Sequence, residues 1–307
     1  AKQKNHKHFL SWVHSTFGPG IARHFMVPYN TKFWTLPLQE LSCEWLDGFV
    51  PVPSIKEVLR GGNRRFGYNA KFWYPKKGGI KQLPDALARG IKNIVAGCEV
   101  TEIDVGKKRI KTSRGDSEAF DYLIYSLPLP EAPGLIKNMP TQIAANFKKL
   151  RWNSIFVLNL GLDKVGRQDT HWIYFPGEET CFFRIGFAHN FSPYAAPKGK
   201  TSLYAEVAYS KEMPLDKDYA AGQVKKHLSD AGIISKGSKL IAEDKNDISY
   251  GYPIYDFSYR LARKKAIGYL EEKGILCCGR YGSWKYMSME DSILDGKRVA
   301  QAAGGLI

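Results

Sequence analysis

The chain has few cysteines and no long apolar run. Five cysteines occur in 307 residues, with one adjacent pair, Cys277 and Cys278, and no CxxC spacing. We therefore expect reduced thiols in a cytoplasmic protein and neither a structural zinc ion nor another metal site. No apolar stretch approaches the ~18 residues of a membrane-spanning helix. No secretory leader precedes Phe9, so export is not predicted.

Motifs that cradle phosphate or supply a nucleophile are also missing. The stretch "FGPGIAR" at 17–23 has two glycines, but it lacks the third glycine of GxGxxG and follows a helical pattern, which indicates a turn. The sequence contains no P-loop, no GxSxG elbow and no Cys/His nucleophile pattern. Its motifs therefore identify no catalytic residue and no loop for a nucleotide pyrophosphate.

Negative charge is scarce relative to positive charge. The chain has 45 lysines and arginines against 30 aspartates and glutamates, and the net charge of +15 is spread along its length. Zinc-finger spacing, RNP-like aromatic motifs and basic heptads are absent, so nucleic-acid binding is not predicted. The excess of positive charge is explained either by a solvated surface with an anion-binding pocket or by a more acidic segment of the protein outside this sequence.

The hydrophobic pattern predicts a mixed α/β (α+β) chain. We expect a helix over 8–30 that breaks at Gly18-Pro19-Gly20, and an amphipathic helix in "GGIKQLPDALARGIK" with Ile80, Leu83, Leu87 and Ile91 on one face. A hairpin turning near Gly106 and a fully buried strand ended by Pro128 follow. Further strands are predicted in "SIFVLNLGL", "THWIYF", "CFFRIGF" and "TSLYAEVAYS", and further helices near 220–231 and 259–270.

Two local features have both a functional and a structural explanation. Ser288 and Asp291 have capping-box spacing, so a helix should begin at Met289, and its first N–H groups could hold an anion or a ring carbonyl. The same residues could simply cap a packed helix. Arg184 lies among apolar residues in "CFFRIGF", which is costly unless it meets an anion. That anion is either an internal carboxylate or a bound phosphate.

Four ordered stretches together resemble a known family. The ending "GRYGSWKYMSMEDSILDGKRVA" is similar to the flavin-contacting segment of the flavin amine oxidase and protoporphyrinogen oxidase superfamily, and within it to UDP-galactopyranose mutases. The stretches "HFMVPYNTKFWTLPLQELSCEWL", "WIYFPGEETCFFRIGFAHNFSPYAAP", and "KFWYPKKGGIKQLPDAL" leading to "YLIYSLPLPEA" extend the likeness from about Phe9 to Ala303. Family members begin with a strand–GxGxxG–helix unit for the ADP half of FAD, so the resemblance implies that this chain is the C-terminal part of a flavoprotein.

The resemblance implies a fold with two domains. One is a partial FAD-binding, Rossmann-like domain of the glutathione-reductase type, over 79–128 and 256–307. The other is a strand-rich substrate domain over 1–78 and 129–255. Because the pyrophosphate loop is missing, we expect this chain alone to bind FAD weakly or not at all.

The resemblance also assigns residues to two kinds of contact. The cofactor-binding positions are Val100 at the adenine, Ser126 at the nearby crossover, Gly279, Arg280 at the phosphate-ribityl region, and Ser288 with the Met289 N–H at the flavin pyrimidine edge. The positions for a small-molecule substrate, possibly a nucleotide sugar, are Asn30, Trp34, Asn69, Trp172, Tyr174, Arg184 as a diphosphate ligand, Tyr252 and Tyr286.

The sequence departs from the mutases at two places. Where they carry a second diphosphate arginine this chain has Phe49, and where they carry a glycine followed by asparagine it has Met289 and Glu290. Phenylalanine cannot hold phosphate charge, and Glu290 would repel it. We therefore expect an FAD-dependent oxidoreductase that passes a hydride to flavin N5 from an apolar or aromatic-contacted substrate. Mutase chemistry is the alternative, in which reduced flavin attacks a sugar's anomeric carbon; a non-catalytic remnant is the third hypothesis.

Overall fold

The computed structural model describes residues 6–46, 50, 52, 56, 59, 71–164, 166 and 169–304. The chain divides into two compact units, which we call unit 1 (Ala1–Lys92 with Asn153–Gly251) and unit 2 (Asn93–Trp152 with Tyr252–Ile307). Helices and several separate sheets occur together, which confirms the predicted mixed class. The predicted positions Phe49 and Asn69 lie outside the described residues.

The centre of unit 1 is a five-stranded sheet. Its strands are β5 (Trp152–Leu162), β6 (Trp172–Tyr174), β7 (Arg184–Phe187), β8 (Thr201–Tyr209) and β9 (Leu240–Pro253). Their order in the sheet is β6-β7-β8-β5-β9. Alternate residues of β5 and β8, among them Leu158, Leu203 and Val207, pack against helix Lys217–Asp230 (α7) through Val224 and Leu228. This period-2 alternation gives the sheet one apolar face and leaves the other face for polar side chains.

Unit 1 begins with a helical segment that is kinked rather than broken. It comprises α1 (Phe9–Ile21), a π-helical turn (Ala22–Met26) and α2 (Val27–Trp34). Gly18 has a φ of 72° inside α1, where glycine carries no side-chain penalty. The predicted break at Gly18-Pro19-Gly20 is therefore a kink, and the helical path continues through it.

The predicted amphipathic helix is present, but it is short and its apolar side is not covered. The helix α3 spans Gln82–Ala88. All four residues of its predicted apolar face are exposed, namely Ile80, Leu83, Leu87 and Ile91. The spacing of these residues predicted the helix correctly, but nothing in the described part of the chain buries its apolar face.

Unit 2 contains two small sheets. The strands β1 (Val100–Asp104), β2 (Arg109–Thr112) and β3 (Ser117–Ala119) form an antiparallel sheet, which confirms the predicted hairpin. The strands β4 (Leu123–Tyr125) and β10 (Ile275–Cys277) form a parallel pair. Strand β4 was predicted to be fully buried, and this is wrong, because Ile124 is 49% exposed.

Helices complete unit 2. The described ones are α4 (Ala132–Leu135), α5 (Thr141–Phe147), α8 (Tyr259–Glu272), α9 (Gly279–Gly282) and α10 (Met289–Gly304), and the short α6 (Ala188–Phe191) belongs to unit 1.

The boundaries of the two units differ from the predicted domain boundaries, because residues 79–92 belong to unit 1 and residues 129–152 belong to unit 2. The functional assignment of the two domains stays a prediction. Among the described residues, no helix combines the length and the apolar character needed to cross a bilayer.

Candidate functional site

Three of the predicted substrate residues lie together on the polar face of the unit 1 sheet. Tyr174 of β6 is paired with Arg184 of β7, and Arg184 is paired with Glu206 of β8. Trp172 is paired with Gly186 two residues along the same strands. Directly paired residues project to the same side of a sheet. We call this surface the hairpin face; its residues are Trp172, Tyr174, Arg184, Tyr204 and Glu206.

Arg184 has an internal carboxylate partner. Its Nη2 donates to Glu206 Oε1 at 2.8 Å, and its Nε donates to Glu206 Oε2 in a second, parallel hydrogen bond. The arginine side chain is 25% exposed and the glutamate side chain 13% exposed. This two-point geometry fixes the guanidinium plane. Of the two anions considered for Arg184, the structure supplies the carboxylate, while contact with phosphate stays a prediction.

Aromatic rings surround the two ends of the β6–β7 hairpin. Tyr29 of α2 packs edge-on against Tyr174, with ring centres 5.3 Å apart. Trp172 stacks on Phe191 at 6.1 Å and lies 5.7 Å from Phe72. Gly186 leaves room for the Tyr204 ring, since a Cβ there would lie 2.1 Å from Tyr204 Cζ. The hairpin face thus combines planar apolar rings with one oriented cation, a set that suits a base or sugar joined to an anion.

Two other predicted substrate residues of unit 1 are buried. Asn30 donates from Nδ2 to the Met26 carbonyl at 2.7 Å, one turn earlier along the helical segment. Trp34 is 4% exposed and packs edge-on against Phe33 and Trp45. Both side chains contribute to packing in this structure, and their role in substrate binding stays a prediction.

Two of the predicted cofactor residues, Gly279 and Arg280, lie just after the end of β10. Gly279, with a φ of 71°, follows the strand and begins the short helix α9. A Cβ at this position would meet nothing within 4 Å, so the turn is open on that side. The guanidinium of Arg280 lies 4.5 Å from the ring centre of Tyr252 and 5.0 Å from that of Tyr286. These two rings stack at 5.6 Å, and the cluster joins three predicted site residues by cation–π contact.

Asp295 of α10 holds this turn in place. Its Oδ2 accepts the Gly279 N–H at 2.8 Å and the Ser283 hydroxyl at 3.1 Å, and its Oδ1 accepts Arg298 Nε at 2.9 Å. Burial alone would raise the pKa of Asp295, but the hydrogen bonds from Gly279, Arg298 and Ser283 outweigh it and lower the pKa. Sequence reasoning missed this residue, because its partners lie 12 and 16 positions earlier.

The contribution of the Asp295 carboxylate to stability should depend on pH. Asp295→Asn should lower the free energy of unfolding at pH 7 by about 1–2 kcal/mol, since two acceptor contacts weaken. Because the folded pKa is below the unfolded one, the contribution is complete above about pH 4 and is lost as the pH falls through the folded value. Urea unfolding of both proteins from pH 7 downward measures this. Asp230→Asn, which alters an exposed pair with Lys226, is the control; equal losses at every pH would contradict the prediction.

The predicted helix start at Met289 is confirmed. Ser288 N donates to Asp291 Oδ2 at 2.8 Å, and Asp291 N donates to Ser288 Oγ at 3.0 Å, which completes the capping box. The N–H groups in the first turn of a helix have no carbonyl partner within that helix. Met289 and Glu290 are both exposed at this end. A carboxylate here is favourable to the helix dipole, although it opposes an incoming anion.

The last two predicted cofactor residues lie apart along unit 2. Ser126 follows β4, and its Cα would be 3.1 Å from a Cβ placed on Gly282, so it lies beside α9. Val100 begins β1 and pairs with Thr112 in the antiparallel sheet. The structure therefore brings Ser126 to the turn that carries Gly279 and Arg280, and it assigns Val100 to a different sheet.

Comparison with known proteins decides the family. A model of the family described as flavin containing amine oxidoreductase matches residues 2–303. The chain belongs to this family. Its members contain a flavin, so the predicted superfamily is confirmed, and the fold is that of FAD-dependent oxidoreductases.

Solved structures agree with this family. A reduced UDP-galactopyranose mutase is 25% identical with a TM-score of 0.93, over 100% of this chain and 69% of that protein. An oxidoreductase from Methanosarcina mazei is 14% identical with a TM-score of 0.61, over 97% and 69%. A protein assigned as a protoporphyrinogen oxidase from Exiguobacterium sp. 255-15 is 14% identical with a TM-score of 0.60, over 73% and 51%. The last two matches concern the fold alone.

The described residues fit one part of a flavin cofactor. The open turn at Gly279, the neighbouring Arg280 and the first turn of α10 offer backbone approach, a cation and N–H donors. Loops that grip a pyrophosphate need glycines between a strand and a helix, and the sequence has no such motif. The fit therefore extends to the flavin and ribityl end only.

Proposed function

We propose that this chain is the part of an FAD-dependent enzyme that binds a nucleotide-linked sugar, and that its reaction is of the mutase type. The observation that carries the proposal is the match to a UDP-galactopyranose mutase at a TM-score of 0.93, over 100% of this chain and 69% of that protein. Four further solved structures that match the chain have TM-scores of 0.55 to 0.61. The hairpin face of aromatic rings around an oriented arginine supports the same substrate class.

The residues of unit 2 would serve the cofactor. Gly279 would let the backbone approach it, Arg280 would contact its phosphate-ribityl region, and the Met289 N–H would face the ring edge, with Ser288 and Asp291 holding that helix turn. The bound flavin would supply the redox-active ring for the reaction. Asp295 would hold Gly279 and Ser283 in place through its two hydrogen bonds to them. Because the pyrophosphate motif is missing from the sequence, we expect weak FAD binding by this chain.

The residues of unit 1 would serve the substrate. Trp172 and Tyr174 would contact the base or sugar, and Arg184 would contact the diphosphate while Glu206 fixes its guanidinium plane. Tyr252 and Tyr286, which stack on each other in unit 2 next to Arg280, stay predicted substrate residues. The departures at Met289 and Glu290 argue for a ligand whose charge lies away from the start of α10.

Hydride transfer to the flavin is the second candidate. The family model is that of oxidoreductases, and Phe49 and Glu290 stand where the mutases carry phosphate or flavin ligands. In that case the aromatic residues of the hairpin face would hold an apolar substrate. All five cysteines are free thiols, so under either reaction we expect a reducing, cytoplasmic setting.

Calorimetric titration with UDP tests the substrate class. We expect the chain to bind UDP and to bind UMP at least tenfold more weakly, because UMP lacks the second phosphate and its charge-assisted contact. Uridine serves as the uncharged control. Equal affinity for UDP and uridine would contradict the proposal.

A reaction assay separates the two candidates. The complete flavoprotein that contains this chain is loaded with FAD, and the flavin is either reduced first or offered candidate amine and aromatic substrates while oxidised. Turnover of UDP-galactofuranose only after reduction supports the mutase reaction. Bleaching of the oxidised flavin by a substrate, followed by reoxidation with oxygen or quinone, supports hydride transfer instead.

A further inference from the structure

The ammonium group of Lys32 is surrounded by oxygen atoms of a single loop. Lys32 lies on α2, and its Nζ donates to the carbonyls of Phe175 at 3.0 Å and Phe182 at 3.2 Å and to Thr180 Oγ1 at 3.2 Å. A fourth contact goes to the carbonyl of Gly177. An ammonium has three N–H donors, so two of these oxygens share one hydrogen. We call residues 175–182 the clamped loop.

The clamped loop joins the two strands that carry Tyr174 and Arg184. Outside the clamp, the Phe175 N–H donates to the Phe183 carbonyl at 2.9 Å, the Cys181 N–H donates to His227 Nδ1 at 3.0 Å, and the fully buried Phe182 ring packs in the core of unit 1. The backbone pairing of the two strands sets their spacing, with Tyr174 opposite Arg184, but it does not set how the hairpin lies against α2. Contacts from Lys32 to both ends and to the middle of the loop supply that second constraint.

The same helix face contacts the hairpin at two further places. Tyr29 packs edge-on against Tyr174 at 5.3 Å, and Phe33 packs edge-on against Phe183 at 5.2 Å. Residues 29, 32 and 33 share one face because they are three or four positions apart. The ammonium contacts of Lys32 add charge-assisted hydrogen bonds to these two ring contacts, so α2 is attached to the hairpin at three places.

Holding a lysine in this setting has a cost. Burial lowers the pKa of Lys32, although Glu179, Cys181 and Glu178 act to raise it. A charged group that is removed from water destabilises the fold unless it is fully hydrogen-bonded. The loop offers four acceptors, and two of its carboxylates, Glu178 and Glu179, add favourable charge.

We propose that Lys32 is a positioning residue for the substrate site: by binding four oxygens of the clamped loop, it holds the β6–β7 hairpin against α2 and so fixes where Tyr174 and Arg184 lie relative to that helix. This inference rests on the proposed function, because the residues that it positions are those assigned to a diphosphate-linked ligand. Lys32 itself contacts no residue of the hairpin face through its ammonium group.

The test compares Lys32→Met with Lys245→Met. Both changes remove one positive charge from unit 1, and Lys245 forms an ion pair with Asp218 away from the clamped loop. We expect UDP to bind at least tenfold more weakly to Lys32→Met and unchanged to Lys245→Met, in protein shown to be folded by its melting curve. Thr180→Val, which removes one acceptor and keeps the charge, should have a smaller effect in the same direction. Unchanged UDP affinity in folded Lys32→Met would overturn the proposal.

Amide hydrogen exchange makes the test independent of the ligand. In Lys32→Met we expect faster exchange at 174–184 and unchanged exchange in β8, whereas a general loss of stability would accelerate both. If the unmodified chain fails to bind UDP, the proposed substrate class is wrong, and exchange still decides whether Lys32 holds the hairpin. Equal protection at 174–184 in both proteins would contradict the clamp itself.

Discussion

Replacing Gly282 with alanine is expected to unfold much of unit 2. A Cβ at Gly282 would lie 2.1 Å from the Tyr125 carbonyl oxygen and 3.1 Å from Ser126 Cα. Both neighbours are backbone atoms, so no side chain can rotate out of the way. The same carbonyl accepts the Cys278 N–H at 3.0 Å, and the β4–β10 pairing ends beside it. We expect the free energy of unfolding to fall by at least about 3 kcal/mol.

Gly268→Ala is the matched control. Gly268 lies in the interior of α8, and a Cβ there would meet nothing within 4 Å. Alanine favours a helix over glycine by up to about 1 kcal/mol, so this variant should be slightly more stable than the parent. Urea unfolding followed by tryptophan fluorescence compares the three proteins. A Gly282→Ala protein with the parent's midpoint would show that α9 does not pack against the end of β4.

The sheet of unit 1 was predictable only where one face is buried. β5, β6, β7 and β8 lie in the four stretches that were predicted as strands, and each contributes apolar residues to the core of unit 1. β9 was missed, because most of its residues are exposed and its middle carries the charged residues Glu243, Asp244, Lys245 and Asp247. Alternate charges along it form ion pairs with α7: Glu243 with Lys225, Lys245 with Asp218, and Asp247 with Lys217. A pattern of this kind becomes visible only once the helix is next to the strand.

The candidate site likewise contains some residues that could be predicted from the sequence and others that could not. The capping box of Ser288 and Asp291 is a local signal, and the resemblance supplied Gly279, Arg280 and Arg184. Glu206 and Lys32 lie far along the chain from the groups they bind, so only strand register and helix packing bring them together. Gly282 had a weak signal in "GRYGSW", where a second glycine follows Gly279 by three residues.

Removing Arg184 from the hairpin face should leave the Glu206 carboxylate without its ion-pair partner. In Arg184→Met, Glu206 loses both guanidinium donors while its side chain stays 13% exposed. We expect the free energy of unfolding to fall by about 2–3 kcal/mol, because an unpaired, largely buried carboxylate is costly. The double variant Arg184→Met/Glu206→Leu has no unpaired carboxylate at this position, so most of the lost stability should return. Thermal and urea unfolding of the single and double variants measure the difference.

UDP titration of the same two variants tests whether the arginine also serves a ligand. If Arg184 contacts the diphosphate, both variants should bind UDP at least tenfold more weakly, although only the single variant is unstable. Lys225→Met, which breaks an ion pair that is 40% and 26% exposed, should change neither stability nor UDP affinity appreciably. A stable double variant that binds UDP like the parent would make Arg184 purely structural, and the proposal of a sugar-nucleotide substrate would then be abandoned.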